Sequence, residues 1–232
     1  MKKALSMLLA LVLLVVVSSA LYVQSIWNPH IPALLVARVK HIAAAHGGYV
    51  PLDRIPSFLQ LALIATEDRS FYHNYGIDFE GIARAFLVDV THGKPLQGGS
   101  TITEQLVKDI FLSNEKTIPR KLKQVALAIM LSRSMSKNEV LSLYLNEVYL
   151  GQGVYGVGQA AKTYFGRPVW KLSPAQCAIL AGLPQAPSLY DPMTDPHLAH
   201  TRQTEVLQGM VAVGYITQQQ AQAISRQPLG VV

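Results

Sequence analysis

The spacing of apolar residues is the feature that most limits what this chain can fold into. From residue 51 almost to the end, apolar residues recur with the period of a helix, and no segment alternates polar and apolar residues as a half-buried strand does. The pattern predicts helices over 56–67, 78–91, 101–111, 119–133, 136–148, 153–165, 173–182, 195–213 and 216–226. An all-α fold is therefore expected.

Several of these helices begin at residues that favour a helix start. Ser136 is followed three positions later by Glu139, which is the pattern of a capping box. Pro174 follows Ser173 and suits the first position of a helix, and Thr217 is suited to cap the last helix. Because no internal repeat and no Ser/Gly linker divides this part of the chain, we expect one domain.

The N-terminal segment predicts a membrane helix. Lys2 and Lys3 precede an uncharged, mainly apolar run over 4–23, and roughly 20 such residues cross a hydrocarbon core of about 30 Å. A cleavable signal peptide is the competing interpretation, because the Ser-Ser-Ala at 18–20 resembles a cleavage site, but its apolar part usually has only about 7–15 residues. A retained anchor within 1–27 is favoured, and the lysines predict that the rest of the chain lies outside the cytoplasm.

The remainder of the chain is interpreted as a basic segment followed by the domain. Residues 28–50 carry several basic side chains and are expected to lie beside the membrane, and residues 51–232 are expected to form the domain. A net charge of +6 suits nucleic acid, an acidic membrane surface or a phosphate-bearing substrate, and charge alone does not choose among them. The single cysteine, Cys177, excludes an intrachain disulfide and is expected to be buried.

A pair of carboxylates follows the first helix of the domain. An apolar helix runs directly into Glu67 and Asp68. Burial near Phe71 would raise the pKa of Glu67, whereas a more exposed Asp68 would stay ionised and bind Arg69, His73 or a metal ion. A surface ion network is the alternative interpretation, and on spacing alone it is the more usual one.

A Gly-Gly turn opens the helix predicted after this pair. Gly99 lets the backbone approach a ligand closely, and Ser100 or Thr101 is suited to cap the helix. The free N–H groups and the helix dipole would attract a phosphate or a carboxylate. A plain capped helix start explains the same residues, and Lys108, four positions after Glu104, is equally typical of an intrahelical ion pair.

A compact cationic group marks the following helix. Gln124 stands one turn after Arg120, on the same face. A solvated basic face is the default interpretation of such a run. Further along, Asn146 is predicted to bond the backbone within a helix that mainly packs. The cationic residues are Lys116, Arg120, Lys121 and Lys123.

In this order, these stretches resemble the peptidoglycan glycosyltransferases of glycosyltransferase family 51, which include monofunctional enzymes and the N-terminal domains of class A penicillin-binding proteins. The family pattern Gly-Gly-Ser-Thr-Ile-Thr-Gln-Gln is met at 98–105 with one change, and Tyr-Leu-Asn followed by Gly is met at 144–146 and Gly151. The resemblance covers nearly everything after residue 50. The pattern Glu-Asp-x-x-Phe-x-x-His-x-Gly is met, with one residue fewer between Phe and His, at Glu67, Asp68, Phe71, His73 and Gly76.

The resemblance implies a lysozyme-like, all-α glycosyltransferase domain behind one N-terminal transmembrane helix. It implies an enzyme that polymerises lipid II into glycan strands with inversion and releases undecaprenyl pyrophosphate. Glu67 would be the catalytic base, and a divalent metal ion, Mg²⁺ or Mn²⁺, would assist, with Asp68 as a candidate ligand. The residues implied to bind substrate are Asp68, Phe71, His73, Gly99, Ser100, Thr101, Gln105, Lys108, Arg120, Lys121 and Gln124.

The resemblance also implies a location and partners. The domain would lie on the periplasmic side of the inner membrane, where apolar residues between 78 and 90 rest on the outer leaflet, although a core helix explains those residues equally well. Expected partners are lipid II, the growing glycan strand, membrane lipids and other proteins of cell-wall synthesis. Nucleic acid is not expected, because no recognition motif accompanies the basic residues.

Three positions depart from the family pattern. Gln124 stands where the family has a glutamate, Glu104 replaces a glutamine, and Ser132 replaces a glutamate. A glutamine side chain cannot neutralise a lysine or a metal ion, so weaker handling of pyrophosphate or of the metal is expected. Spacing alone does not show whether Glu104 compensates.

Two other functions stay open. A weakly active or inactive relative would bind lipid II as a scaffold, and Gln124 favours this interpretation. A lysozyme-like hydrolase needs one glutamate in its cleft, but it does not need the cations after residue 107. No transpeptidase domain is expected, because the Ser-x-x-Lys spacings at 113–116 and 134–137 lack their Lys-Thr-Gly and Ser-x-Asn partners.

Overall fold

The chain folds into α-helices throughout the part that the structure describes. The computed structural model describes residues 25–78, 80–81, 99–113 and 115–232. These residues form no strand, and an isolated bridge joins Tyr149 to Tyr155. The prediction of an all-α fold is confirmed.

The helix bounds agree with the predicted ones to within two residues, apart from one helix start. The helix predicted over 78–91 lies almost entirely outside the described residues. Short 3₁₀ turns occur at Leu52–Arg54, Val169–Lys171 and Leu183–Gln185. The described helices are α1 (Ile31–Ala45), α2 (Ser57–Glu67), α3 (Ile102–Phe111), α4 (Ile118–Ser134), α5 (Lys137–Glu147), α6 (Val157–Phe165), α7 (Pro174–Gly182), α8 (Pro196–Ala212) and α9 (Gln218–Ser225).

Helix α6 begins four residues later than predicted. Gly153 and Gly156 have φ angles of +70° and +76°, which lie outside the right-handed helical region. A Cβ at position 156 would lie 2.6 Å from the carbonyl oxygen of Asn146, so the close approach requires glycine. The turn between α5 and α6 therefore excludes these residues from the helix.

The predicted helix caps are present. The side chains of Ser136, Ser173 and Thr217 each accept a hydrogen bond from a backbone N–H three residues later, in reciprocal capping boxes. A cap of this kind contributes about 1 kcal/mol to helix stability. Because all the atoms involved lie within one turn, the local sequence is sufficient to predict them.

The core forms between two groups of packed helices. Helices α2, α7 and α8 pack on one another, and α3 packs on α4 and α5. Leu63, Leu106 and Leu180 are completely buried, and Cys177 is buried as predicted. The C-terminal end of α2 meets the beginning of α3 where the two groups adjoin.

Helix α1 packs into the same core. Its residues Leu35, Val39 and Ala43, one turn apart, are buried. Arg38 donates to the carbonyl oxygen of Ile110 at 2.7 Å, which ties α1 to the end of α3. Helix α1, within the predicted basic segment 28–50, therefore packs against the helices that follow residue 51.

The predicted membrane anchor lies outside the described residues. The apolar run over 4–23 falls within the segment that the structure does not describe. Among the residues that it does describe, no helix combines the length and the apolar character needed to cross a membrane.

Candidate active site

The candidate base lies at the junction of the two helix groups. Glu67 is the last residue of α2, and its Oε2 accepts a hydrogen bond from Nε2 of Gln105 on α3 at 2.8 Å. The other end of that amide is also held, because the hydroxyl of Tyr144 on α5 donates to Oε1 of Gln105 at 2.9 Å. Three helices thus orient one carboxyl group.

Burial shifts the pKa of Glu67. Desolvation raises the pKa of this carboxyl, while the hydrogen bond from Gln105 and the positive charges of Arg202 and Lys108 oppose the rise. Part of the Glu67 side chain stays open to solvent, so a ligand can reach it. The predicted direction of the Glu67 pKa shift is confirmed, and a carboxyl of this kind suits general acid or base chemistry.

Asp68 is the more buried of the two carboxylates, which is opposite to the prediction. Its exposed fraction is 5%. Its Oδ1 accepts from the Ser70 hydroxyl at 3.1 Å and from Nδ2 of Asn74 at 2.9 Å, and its Oδ2 accepts from the N–H of Ile102 at 3.1 Å. Burial raises the pKa of Asp68, against the effect of these bonds. The turn after α2 folds beneath the start of α3, so Asp68 joins the two helices.

The predicted partners of Asp68 lie elsewhere. Arg69 donates from Nε to the carbonyl oxygen of Ala65, and His73 is exposed. Because both Asp68 oxygens already accept hydrogen bonds within the turn, Asp68 does not fit a metal ligand in this geometry. No group of three His, Cys, Asp or Glu side chains that could hold a metal ion occurs within the described ranges. The divalent metal ion stays a prediction.

The start of α3 is closed by its own capping residues. Thr101 accepts from the N–H of Glu104 at 3.1 Å and donates to the carbonyl oxygen of Gly76 at 2.7 Å, while Glu104 Oε2 accepts from the N–H of Thr101 at 3.0 Å. Thr101 is buried, so the interpretation as a plain capped helix start describes it. Gly99 is exposed and Ser100 is partly exposed, so both remain accessible to a ligand.

Lys121 and Arg120 face the capped start of α3 from α4. Lys121 Nζ donates to Oε1 of Glu104 at 2.7 Å and to the Ser100 hydroxyl at 3.2 Å. Arg120 Nη1 donates to Oε1 of Gln124 at 3.0 Å, and its buried Nε has no hydrogen-bond partner among the described residues. These cations are anchored on one side and retain free donors.

Lys108 does not form the intrahelical pair with Glu104 that spacing suggested. It pairs with Asp109 at 2.8 Å, and its side chain is 38% exposed. Its charge acts on Glu67, lowering the pKa of that carboxyl. Lys108 therefore pairs with its neighbour Asp109 and lies near enough to Glu67 to act on its pKa.

Phe71 lies in the core at the turn that carries Asp68 and has no exposed surface. The ammonium of Lys137 lies 4.8 Å from the centre of the Phe71 ring and donates to Oδ1 of Asn74 at 2.8 Å. The predicted contact of Phe71 with substrate does not fit this burial. Phe71 and Lys137 instead stabilise the turn that carries Asp68.

Sequence reasoning missed four residues of this arrangement. Arg202 and Lys137 come from distant helices, and no local pattern distinguishes them from other basic residues of amphipathic helices. Asn74 and Tyr144 lie within the motifs that carried the resemblance, but Tyr144 was interpreted as packing. Asn146 does bond the backbone, as predicted, at both the N–H and the carbonyl oxygen of Val50.

Comparison with known proteins identifies relatives over most of the chain. The family model named Transglycosylase matches residues 35–211. Penicillin-binding protein 1A of Aquifex aeolicus is 47% identical over 183 residues, which are 79% of this chain and 25% of that protein. A protein named as a transglycosylase in Cupriavidus necator is 42% identical over 181 residues, which are 78% of each chain.

The solved structures also include a similar chain. Penicillin-binding protein 1A of Haemophilus influenzae matches 80% of this chain and 18% of that chain, with a TM-score of 0.48 and 25% sequence identity. This chain therefore spans a quarter or less of the penicillin-binding proteins compared with it.

Proposed function

The chain belongs to the Transglycosylase family, glycosyltransferase family 51, and from this premise we propose that it polymerises lipid II into peptidoglycan strands. One observation carries the proposal. Glu67 has a raised pKa and is held by Gln105 of α3 at 2.8 Å, while the adjacent residue of α3, Glu104, holds Lys121 of α4 at 2.7 Å. A base opposite cations suits a reaction that expels pyrophosphate.

Glu67 acts as the general base in the proposed reaction. It takes the proton of the acceptor sugar's 4-hydroxyl as that oxygen attacks the anomeric carbon of the donor. A new glycosidic bond forms with inversion, and the bond from the anomeric carbon to pyrophosphate breaks. Gln105 holds Oε2, which leaves Oε1 without a protein donor among the described residues and free to accept the proton. The raised pKa brings the base closer to neutral pH, where proton transfer is most effective.

The cations stabilise the departing pyrophosphate in the proposed reaction. Lys121 is partly exposed, and two groups hold its ammonium. Gln124 accepts from one N–H of the Arg120 guanidinium, and a phosphate oxygen would accept from others of its five N–H donors. Lys108 places a third positive charge nearer to Glu67. Charge-assisted hydrogen bonds of this kind strengthen as negative charge develops on the leaving group.

The setting of the enzyme is part of the proposal. A retained helix over 4–23 would hold the domain on the periplasmic face of the inner membrane, and a lysozyme-like cleft would admit two lipid-linked sugars. Support comes from the length of the apolar run and from the lysines that precede it. Membrane fractionation tests the anchor, and a protease added to spheroplasts tests the topology, because it should cleave the domain only if the domain lies on the periplasmic face.

Purified full-length protein incubated with lipid II and Mg²⁺ or Mn²⁺ tests the activity. We expect polymer that disappears with moenomycin and with Glu67→Gln. Asp53→Asn, which removes an exposed carboxylate outside the site, is the matched control and should leave polymer formation unchanged. Absence of polymer from the parent protein would overturn the proposal, and adding EDTA to the same reaction tests the metal prediction.

A further inference from the structure

The contacts of Glu104 and Gln124 point to a division of labour between these two residues. Glu104 is completely buried, and its two oxygens serve different purposes. Oε2 accepts from the N–H of Thr101 at 3.0 Å and closes the start of α3, while Oε1 accepts from Lys121 Nζ at 2.7 Å. One carboxylate therefore links the helix cap to a cation of the site.

Gln124 makes the complementary contacts. It is also buried; its Nε2 donates to the carbonyl oxygen of Glu104 at 3.0 Å, and its Oε1 accepts from Nη1 of Arg120 at 3.0 Å. Only an amide can donate and accept at these two positions, because an ionised carboxylate has no hydrogen to donate. A glutamate at 124 would lose the bond to Glu104 and place a second negative charge beside it.

We propose that Glu104 and Gln124 are a matched pair of positioning residues, in which Glu104 holds Lys121 and Gln124 holds Arg120 for the leaving pyrophosphate. The proposal rests on the proposed function. It assigns the negative charge of this cluster to α3 instead of α4. It also implies that Gln124 is not a defect, because a single carboxylate leaves the two cations with a net positive charge toward an anion.

Lys121 shows why the position of the carboxylate matters. Its ammonium has three donors, and two of them are taken by Glu104 and Ser100. The side chain is 44% exposed, so without these two acceptors the flexible lysine would move through solvent. Anchoring it lowers the entropy that is lost when the ammonium binds a phosphate oxygen.

Exchange of the two residues tests the pairing. Glu104→Gln keeps the capping pattern, because glutamine also serves at that position of a capping box. The substitution removes the carboxylate that holds Lys121, so we expect kcat to fall by about tenfold. Gln124→Glu is expected to lower kcat by a similar factor, because the added carboxylate competes for both cations. The double exchange, Glu104→Gln with Gln124→Glu, returns the cluster to one carboxylate but not the bond to the carbonyl oxygen of residue 104, so kcat is expected to exceed the product of the two single effects without reaching that of the parent.

Two further readouts separate the pairing from a general structural role. Affinity for inorganic pyrophosphate, measured by calorimetry on the full chain, should fall in each single variant and recover in the double exchange. Glu104→Gln keeps an acceptor for the N–H of Thr101, so its melting temperature should fall less than that of Glu104→Ala, with Asp53→Asn as the charge control. These binding data test the pairing even where the parent makes no polymer, an outcome that would overturn the proposed function alone. Gln124→Glu as active as the parent, or a double variant no better than the product of the singles, would overturn the pairing.

Discussion

Two buried glutamates of this domain have opposite surroundings. Glu104, at the start of α3, is 0% exposed and accepts from Lys121 and Thr101. Glu147, at the end of α5, is 3% exposed, and its Oε2 has no hydrogen-bond partner among the described residues. Burial, together with the negative charge of Asp109, raises the pKa of Glu147 to about 8. Equal burial therefore leads to a paired carboxylate at one site and a neutral acid at the other.

Glu67 is intermediate between these two. It is partly buried and has a neutral hydrogen-bond donor, Gln105, with the charges of Arg202 and Lys108 nearby. Its pKa is raised by burial, but partners oppose the rise. Neighbouring hydrogen-bond donors and charges therefore decide whether a buried carboxyl group is structural, inert or suited to proton transfer.

The largest expected effect concerns Glu147. Its folded-state pKa of about 8 lies above the ordinary value of 4.5, so the folded chain keeps a proton that the unfolded chain has lost. The stability that this group contributes is complete below about pH 4.5 and is lost as pH rises toward about 8, by up to about 1.4 kcal/mol per pH unit. Denaturant unfolding across this range should show a steeper loss of stability with rising pH in the parent than in Glu147→Gln, because the raised pKa values of Glu67 and Asp68 act alike in both proteins. Parallel profiles would contradict a neutral Glu147.

Glu104→Ala should have the next largest effect. It removes the reciprocal half of the Thr101 capping box, leaving the N–H of Thr101 without its acceptor, and it removes the fully buried carboxylate that Lys121 contacts, so the free energy of unfolding should fall by about 2–3 kcal/mol. Glu205→Ala is the matched control, because the Arg202–Glu205 pair has an N–O distance of 2.8 Å but its glutamate is 54% exposed. That variant should change stability by about 0.5 kcal/mol or less. Equal losses in chemical denaturation would show that burial of the pair does not matter.

The smallest expected effect is at the partner of Glu67. Gln105→Leu removes the hydrogen bond that lowers the pKa of Glu67, so the acid limb of the pH profile of kcat should move to higher pH. Activity near neutral pH should fall by about fivefold, the value of one lost hydrogen bond. Gln219→Leu, at an exposed position of α9, should leave the profile unchanged. An acid limb at the same pH in Gln105→Leu and in the parent would contradict the role of Glu67 as the base.

Much of the fold was predictable because its signals are local. Capping at Ser136, Ser173 and Thr217 depends on atoms within one helical turn, and helix bounds follow from these caps and from apolar spacing. The start of α6 was missed because the close approach of Gly156 to Asn146 of α5 is a contact that apolar spacing does not report.

Less of the candidate site was predictable, because its energies depend on groups that lie far apart in the chain. The motifs identified Glu67, Gln105 and the cations of α4, since residue type and order suffice for that. They predicted an exposed Asp68, because its donors meet it only when the turn after α2 folds, for Asn74, and when the start of α3 lies beside that turn, for Ile102.

The residue types, the helical periodicity and the helix caps were thus already determined in the order of amino acids, since each depends on neighbours within a turn or two. Packing decided which carboxyl groups have a raised pKa, which cations the carboxylates hold, and that Arg202 lies near enough to act on Glu67. Desolvation and Coulomb energies vary with distance and burial in space, not with separation along the chain. For that reason the contact of Lys121 with Glu104 depends on α4 lying beside α3. The contact of Arg120 with Gln124 lies within α4.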